Sequence, residues 1–332
     1  MKTEILRYLK EADGYISGQE LCGQFHVSRT AVWKVMKQLE AEGYEIEAVR
    51  NRGYRLKTAE DILSREEILS SMKGQWAGKE VLYFDETDST NTEAKKAAEN
   101  GAPHGTLTVA ERQTGGKGRR GRTWDSPGGT GIFMSLVLRP DMAPVHASML
   151  TLVAALAAAR GIEQCAQVKP LIKWPNDIVI NGRKVCGILT EMSADPDCIN
   201  YVVTGIGINV NMEQFPEEIR QVAASIYTES GKKIRRSVLI SAVMEAFEEY
   251  YGVFMKTADM SGLLEEYNGK LANCGRTVRV LDPAGEYSGT AQGINSQGEL
   301  LVEMDDKTVK SSYFRRGFCK GNLRICLGGR NV

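Results

Sequence analysis

Gly115-Gly116-Lys117-Gly118-Arg119-Arg120-Gly121-Arg122 is the segment on which the reading of this chain turns. Four glycines alternate with four cations, and seven glycines fall between Gly115 and Gly131. Solvation of a surface loop would explain the charge, but not the repeated loss of side chains beside it. Glycine lets backbone approach a ligand closely, and N–H groups with guanidinium forks are natural partners of phosphate and carboxylate oxygens. The segment therefore predicts a flexible cationic loop that folds over a phosphate-bearing ligand. Gly116, Gly118 and Gly121 satisfy G-x-G-x-x-G, yet the loop runs into the turn Thr123 to Gly129 and then a strand-like run, Ile132 to Arg139, where a dinucleotide fingerprint would open a helix. A Walker A loop fails because no Ser or Thr follows Gly116-Lys117, and the downstream kinase elements are missing.

Working outward, 332 residues predict two or three domains. Apolar residues at 42% and charged residues at 25% remove the compositional case for disorder or coiled coil. Lys plus Arg and Asp plus Glu balance at 42 each, so any nucleic-acid contact needs a local patch. Cys22, Cys165, Cys186, Cys198, Cys274, Cys319 and Cys326 contain no C-x-x-C pair. That pattern suggests neither a disulfide framework nor zinc, and fits reduced thiols in the cytoplasm. With only His26, His104 and His146, no protein-only metal site is expected. The charged start MKTEILRYLKEAD lacks a signal-peptide h-region. The apolar run Met149 to Ala159 is shorter than the roughly 20 residues of a membrane span, so a helix buried between layers is expected and no membrane partner.

Residues 1–60 read as three helices and a hairpin. Ile5, Leu6 and Leu9 make one apolar side, and Ser17 with Glu20 forms a capping box before Leu21 and Phe25. Ser28 caps a third helix with Val32, Val35, Met36 and Leu39 on one face. Arg29, Thr30, Trp33, Lys34 and Lys37 are left outside, and Arg50, Arg52 and Arg55 line a wing around the Asn51-Arg52-Gly53 turn. Helix, turn and recognition helix, together about Gly18 to Lys37, with the basic wing predict a winged helix-turn-helix on operator DNA. From His26 to Lys57, seven Lys or Arg face four Glu, an excess too small for tight binding by one copy, so a dimer is expected.

Residues 61–80 read as a linker with a short helix opened by Ser64 and Glu67. Residues 81–270 mix strand-like and helical runs, as an α/β or α+β domain does. From 271 to 326 the runs Thr277 to Leu281, Tyr287 to Ile294, Leu300 to Met304 and Thr308 to Phe314 alternate with turns and predict a small closed β-barrel.

Four further clusters accompany the loop: Asp88-Ser89-Thr90-Asn91, Gln113, Lys173-Trp174-Pro175-Asn176-Asp177 and Arg183-Lys184-Val185-Cys186-Gly187. In this order, behind a winged helix, they resemble the bacterial bifunctional biotin protein ligases that also repress biotin operons. The resemblance covers essentially the whole chain. It implies a multidomain α+β fold with an N-terminal winged helix-turn-helix, a central mixed α/β ligase (SH2-like) domain and a C-terminal SH3-like barrel. It also implies ATP-dependent formation of biotinyl-5'-AMP, with Mg2+, and transfer of biotin to a lysine of a biotin carboxyl carrier protein, such as that of acetyl-CoA carboxylase. Ser89, Thr90, Asn91 and Gln113 are implied at the ureido end of biotin, Lys117, Gly118 and Arg119 over the ligand, and Lys184 at the carboxylate. Arg119 and Lys184 would neutralise the two reacting anions. Ser89 and Asn91 also fit a helix cap. Lys173, Asn176, Asp177, Asn209 and Arg122 are assigned to the nucleotide side, although Asp177 also fits a structural acceptor and Asn209 a turn. The chain departs from the resemblance at Lys117, where the GRGRRGR pattern has an arginine fork. The adenylate would act as corepressor by ordering the loop and favouring a homodimer. Two other classes remain on these residues: a transcription factor that only senses an anionic metabolite, and a ligase for a related acyl cofactor such as lipoate.

Overall fold

The computed structural model describes residues 1–57, 61–281 and 285–312, with backbone alone for 324–327 and for Arg120. At the N-terminus α1 (Lys2–Glu11), α2 (Gly18–Phe25) and α3 (Arg29–Ala41) precede a hairpin of β1 (Ile46–Val49) and β2 (Gly53–Leu56). The two expected caps form: Ser17 accepts from the Glu20 N–H and Ser28 from the Ala31 N–H. Ile5, Leu6, Leu9, Leu21, Val32, Val35, Met36, Leu39 and Tyr44 close a core of their own. Gly53 is required where it stands, at φ 110° with any Cβ only 2.0 Å from the Ile16 carbonyl oxygen.

Between the winged helix and the central domain, α4 (Arg65–Ser71) is capped by Ser64 as expected and packs into the molecule, with Ile68 fully buried. Buried Glu67 on this helix faces both sides. Its carboxylate accepts from Tyr44 Oη at 2.8 Å, pairs with Lys10 Nζ at 2.6 Å and accepts from Ser237 Oγ at 3.0 Å.

The central domain is a seven-stranded sheet. In chain order come β3 (Val81–Thr87), α5 (Thr90–Glu99), β4 (Leu107–Gln113), β5 (Gly131–Leu138), α6 (Leu150–Ala166), β6 (Leu171–Lys173), β7 (Asp177–Ile180), β8 (Arg183–Ala194), β9 (Ile199–Asn209), α7 (Ile226–Ser230), α8 (Arg236–Phe254) and α9 (Leu264–Gly269). Strand order is β3-β4-β5-β9-β8-β7-β6, with β3 and β4 parallel and the remaining neighbours antiparallel. Successive side chains of a strand point to opposite faces. Val137 and Val203 accordingly pack under Ala94 and Ala98 of α5, while Leu136, Leu138 and Val202 join the main core with α6 and α8. All residues from Leu150 to Ala159 are buried. With the turn before it, this helix is long and apolar enough to cross a bilayer, but the protein itself covers that surface.

At the C-terminus β10 (Thr277–Leu281), β11 (Tyr287–Ile294), β12 (Leu300–Glu303), β13 (Val309–Ser312) and β14 (Arg324–Leu327) form an antiparallel sheet in the order β13-β12-β11-β10-β14. Barrel closure and the last residues of the Thr308 to Phe314 run rest on residues 313–323, which lie outside the described residues, as does Cys319. Trp174 pins this sheet to the central domain: its Nε1–H donates to the Gly298 carbonyl at 3.0 Å, and its backbone N–H donates to Asn273 Oδ1 at 2.9 Å.

Candidate functional site

The face of the sheet under α5 carries a cleft open to solvent. Ser89, Thr90, Asn91, Gln113, Lys117, Gly118, Arg119, Asn176 and Lys184 all line it, brought together from the loop and the four further clusters. The cationic loop forms a small hairpin: Lys117 bridges to Thr123, the Gly118 N–H donates to the Arg122 carbonyl at 2.7 Å, and Arg119–Gly121 makes a 3-10 turn.

Two polar groups stand apart along the strands. In the first, Thr90 at the start of α5 donates its backbone N–H to Gln113 Oε1 at 2.8 Å, and Gln113 Nε2 donates to Ser126 Oγ at 2.9 Å. Ser89 is the N-cap residue of α5, but its hydroxyl makes no capping bond and is left to the cleft. Asn91 reaches over the sheet row Ser135, Gly205 and Leu189. A Cβ at Gly205 would stand 2.1 Å from Asn91 Oδ1, so the absent side chain makes the room.

In the second group Lys184 Nζ pairs with Asp177 at 2.7 Å and lies 5.2 Å from the centre of the Trp124 ring. Arg119 Nη1 donates to Asn176 Oδ1 at 2.9 Å, and Asn176 Nδ2 donates to the Ile188 carbonyl at 3.1 Å. Trp124 covers the row Gly187 and Gly207, where a Cβ would meet its ring at 2.9 and 2.8 Å. This row lies two residues, about 7 Å, along the strands from the Asn91 row. Phe133 and Leu189 supply apolar side chains on this face, while Met134, Ile188 and Ile206 border the cleft from the intervening row with their side chains in the core behind. A polar cluster, an apolar floor and a separate cationic cluster suit a ligand with a hydrogen-bonding head, a hydrocarbon middle and an anionic end.

Other expected residues stand elsewhere. Asn209 is buried and donates its amide to the Ala224 carbonyl at 3.0 Å, Lys173 ends β6, and Arg122 is exposed on the return arm of the hairpin. None of the three lines the cleft. Sequence reasoning passed over the apolar floor and Trp124, whose buried Nε1–H has no hydrogen-bond partner among the described residues. Glycines two apart in Gly205-Ile206-Gly207 were the available signal for a large group lying over one strand face. Among the described residues no three His, Cys, Asp or Glu stand together as a metal cage.

On the winged helix, Trp33 is 52% exposed, and Ser28, Arg29, Thr30, Lys34, Lys37, Arg50 and Arg52 are exposed too. Lys37 pairs with Glu40 at 2.5 Å, Arg29 donates to Gln19 Oε1 at 3.0 Å, and the Arg52 guanidinium stacks 4.3 Å from the Tyr15 ring centre.

The comparisons divide the chain as the fold does. Residues 83–209 match the biotin/lipoate A/B protein ligase family, residues 2–55 an HTH domain and residues 274–314 the biotin protein ligase C-terminal domain. The bifunctional ligase/repressor BirA of Bacillus subtilis is 40% identical over 93% of this chain and 96% of its own length. The chain belongs to the bifunctional biotin ligase/repressor family. The ligase/repressor of Escherichia coli is 30% identical over 87% of this chain and 88% of its own. The structure of the Aquifex aeolicus biotin protein ligase in complex with biotin and ATP superposes with a TM-score of 0.63 at 29% identity, over 74% of this chain and 99% of that one. Membership makes the central domain a biotin ligase and the N-terminal module its DNA-binding repressor part.

Proposed function

We propose that the cleft holds biotin with its ureido ring against Ser89, Thr90 and Gln113 and its carboxylate beside Lys184 and Arg119. The observation that carries this is the separation of the neutral polar cluster from the cationic one, with the apolar residues available for the bicycle and valeryl chain. A biotin carboxylate oxygen attacks the α-phosphorus of ATP, the bond to pyrophosphate breaks, and a mixed anhydride with AMP results. Two anions meet in that step, so cations fixed where negative charge accumulates supply much of the acceleration. Lys184 and Arg119 fill that role, and the unpartnered Trp124 Nε1–H offers a further donor. Asn176 positions Arg119, and Asp177 positions Lys184. Magnesium would arrive on the nucleotide phosphates, with Asp177, the carboxylate paired with Lys184, as the residue that would hold it. The amine of a carrier-protein lysine then attacks the acyl carbon and releases AMP.

Closure of the Gly115 to Arg122 hairpin over biotinyl-5'-AMP protects the anhydride from water and, in this reading, favours a homodimer that places two winged helices on operator DNA. The chemistry belongs in the cytoplasm, where ATP, carrier and DNA coexist. Incubation with ATP and either biotin or lipoate tests the reading. Pyrophosphate release and carrier labelling with biotin alone are expected; labelling with lipoate alone would overturn it. Sedimentation with biotin and ATP should show tighter dimerisation than without them, by roughly 5- to 150-fold for an ordinary allosteric coupling. Equal dimerisation would end the corepressor role.

A further inference from the structure

Thr90 presents the cleft with a hydroxyl that in isolation could give or take a proton, and the groups that settle its direction lie behind the wall. The sequence of constraints starts at Glu191 on β8, whose carboxylate accepts from Lys95 Nζ at 2.6 Å and from Asn91 Nδ2 at 2.8 Å. Burial works against the ionised form of Glu191; the bonds from Lys95 and Asn91 and the nearby Lys117 charge overcome it and hold the carboxyl below its ordinary value. The Asn91 amide also donates to the Leu189 carbonyl at 3.2 Å. Reversing this amide would set Oδ1 against a carboxylate and a carbonyl, so its orientation is determined.

Asn91 Oδ1 therefore faces Ser135 Oγ, at 2.6 Å. That oxygen carries no hydrogen, and the single proton of the fully buried Ser135 must go to it. Ser135 Oγ stands 2.8 Å from Thr90 Oγ1 and is left to accept. The other polar neighbour of the Thr90 hydroxyl is Gln113 Oε1 at 3.2 Å, an acceptor that already takes the Thr90 backbone N–H. Whichever neighbour receives the Thr90 proton, it is spent inside the protein, and only lone pairs face the ligand.

We infer that the Glu191–Asn91–Ser135 chain is a positioning device that fixes Thr90 as a hydrogen-bond acceptor, so that the cleft selects a ring presenting an N–H there and rejects a ring oxygen or sulfur. Ser135 and Glu191 do not line the cleft and act only through Asn91 and Thr90. The sheet is cut for this arrangement: Ser135 and Gly205 are cross-strand neighbours, and Gly205 leaves the space Asn91 occupies.

The inference rests on the biotin reading, and its test separates the two. Full-length protein is titrated calorimetrically with biotin and with the two isosteres in which either ring N–H is replaced by oxygen. Sites built to bond an N–H reject analogues lacking it strongly, so the wild type should prefer biotin over one isostere by ~100-fold or more. Ser135→Ala removes the shorter of the two inward acceptors and leaves only Gln113 Oε1, at 3.2 Å and already bonded to the Thr90 backbone N–H, so the Thr90 proton can turn outward for part of the population and the preference should narrow by ~10-fold, the scale of one hydrogen bond. Ser135→Cys, which restores a donor, should retain more of the preference. Glu191→Ala, at a partly exposed position, should narrow it by ~3-fold because the Leu189 carbonyl still holds Asn91, and this variant gives the readout if Ser135→Ala does not fold. A purely structural role would weaken biotin and isostere alike and leave the ratio unchanged, which overturns the inference while leaving the biotin reading intact. A wild type that binds neither ligand sinks both.

Discussion

Arg236, at the start of α8, is 2% exposed and joins three parts of the chain that meet beside the cleft. Its Nε donates to Asp61 Oδ2 at 2.8 Å, Nη2 to the Asp61 carbonyl at 3.0 Å, and Nη1 to Glu111 Oε1 at 2.9 Å and the Gly131 carbonyl at 3.3 Å. Asp61 belongs to the segment that descends from the winged helix, and Glu111 precedes Gln113 on β4 by two residues. Replacement by Met keeps much of the volume and removes the charge and the fork. Breaking a buried ion pair from one side costs about 3–5 kcal/mol, because the remaining charge is uncompensated. Both carboxylates here are 23% exposed, and each keeps other donors: Asn211 Nδ2 and the Arg236 backbone N–H on Asp61, and the Gly129 N–H on Glu111. The loss should therefore fall at the lower end, about 3 kcal/mol, or a 6–12 °C drop in the melting temperature of a domain of this size. Urea unfolding of the central-domain transition and scanning calorimetry measure it. Arg236→Lys restores the charge without the fork and should recover less than half. A loss under 1 kcal/mol for Arg236→Met, or a lysine variant as stable as the parent, would refute the claim that the forked geometry ties these segments together.

Lys184→Ala should lower biotin-dependent pyrophosphate release by about 10²–10³, the usual cost of removing one preorganised electrostatic group, while the unfolding of the winged helix stays as in the parent. An unchanged rate would remove Lys184 from the chemistry. Alanine at Lys34 or Arg50 should weaken operator binding and flatten the plot of log affinity against log salt by about one unit for each phosphate that is no longer neutralised; a slope equal to that of the parent would take that residue off the DNA. His104 has its pKa lowered, first by burial and then by the Arg139 charge, and in the fold its Nδ1 accepts from the Arg139 N–H at 3.0 Å. A depressed folded pKa means the unfolded chain binds the proton more readily, so this contribution is present above about pH 6.5 and lost as pH falls through the folded value. His104→Gln should flatten stability between pH 7 and 5 relative to the parent, as read by urea midpoints, and an equal fall in both proteins would exclude His104 as the cause.

Much of the architecture is legible because its signals are local. Ser17, Ser28 and Ser64 each cap the helix their spacing announces, and the apolar repeat of Val32, Val35, Met36 and Leu39 marks the buried face of α3. β6 and β7 are short strands of three and four residues beside a proline turn, too brief to show a period. Trp174 reads from sequence as part of a site motif; its place under Gly298 follows from a contact across 124 residues that no local pattern encodes. The segment after residue 60 reads as a linker around a short helix opened by Ser64, and what its sequence does not show is that Glu67 and Ile68 of that helix are buried. The Glu67 partners Tyr44, Lys10 and Ser237 come from both sides of it in sequence.

The site divides in the same way. Chemistry that must touch a ligand is written in residue types that stand out, such as the cations of the hairpin and the Ser-Thr-Asn triplet. What aims those groups is written in residues that look ordinary. Ser135 is one hydroxyl in an otherwise apolar strand, and it becomes informative only once β5 is paired with β9 and α5 is laid over both. Glycine is the intermediate case. Gly205 and Gly207 alternate with Ile206 and Ile208, so the period of two puts both glycines on one face and the isoleucines in the core behind. A strand that gives up packing at every second residue must leave room for something, and here it leaves room twice, for Asn91 over Gly205 and for Trp124 over Gly207. The glycines set the depth of the cleft at both polar clusters, and the distance between them along the strand matches the separation that a ligand with one neutral and one anionic end requires.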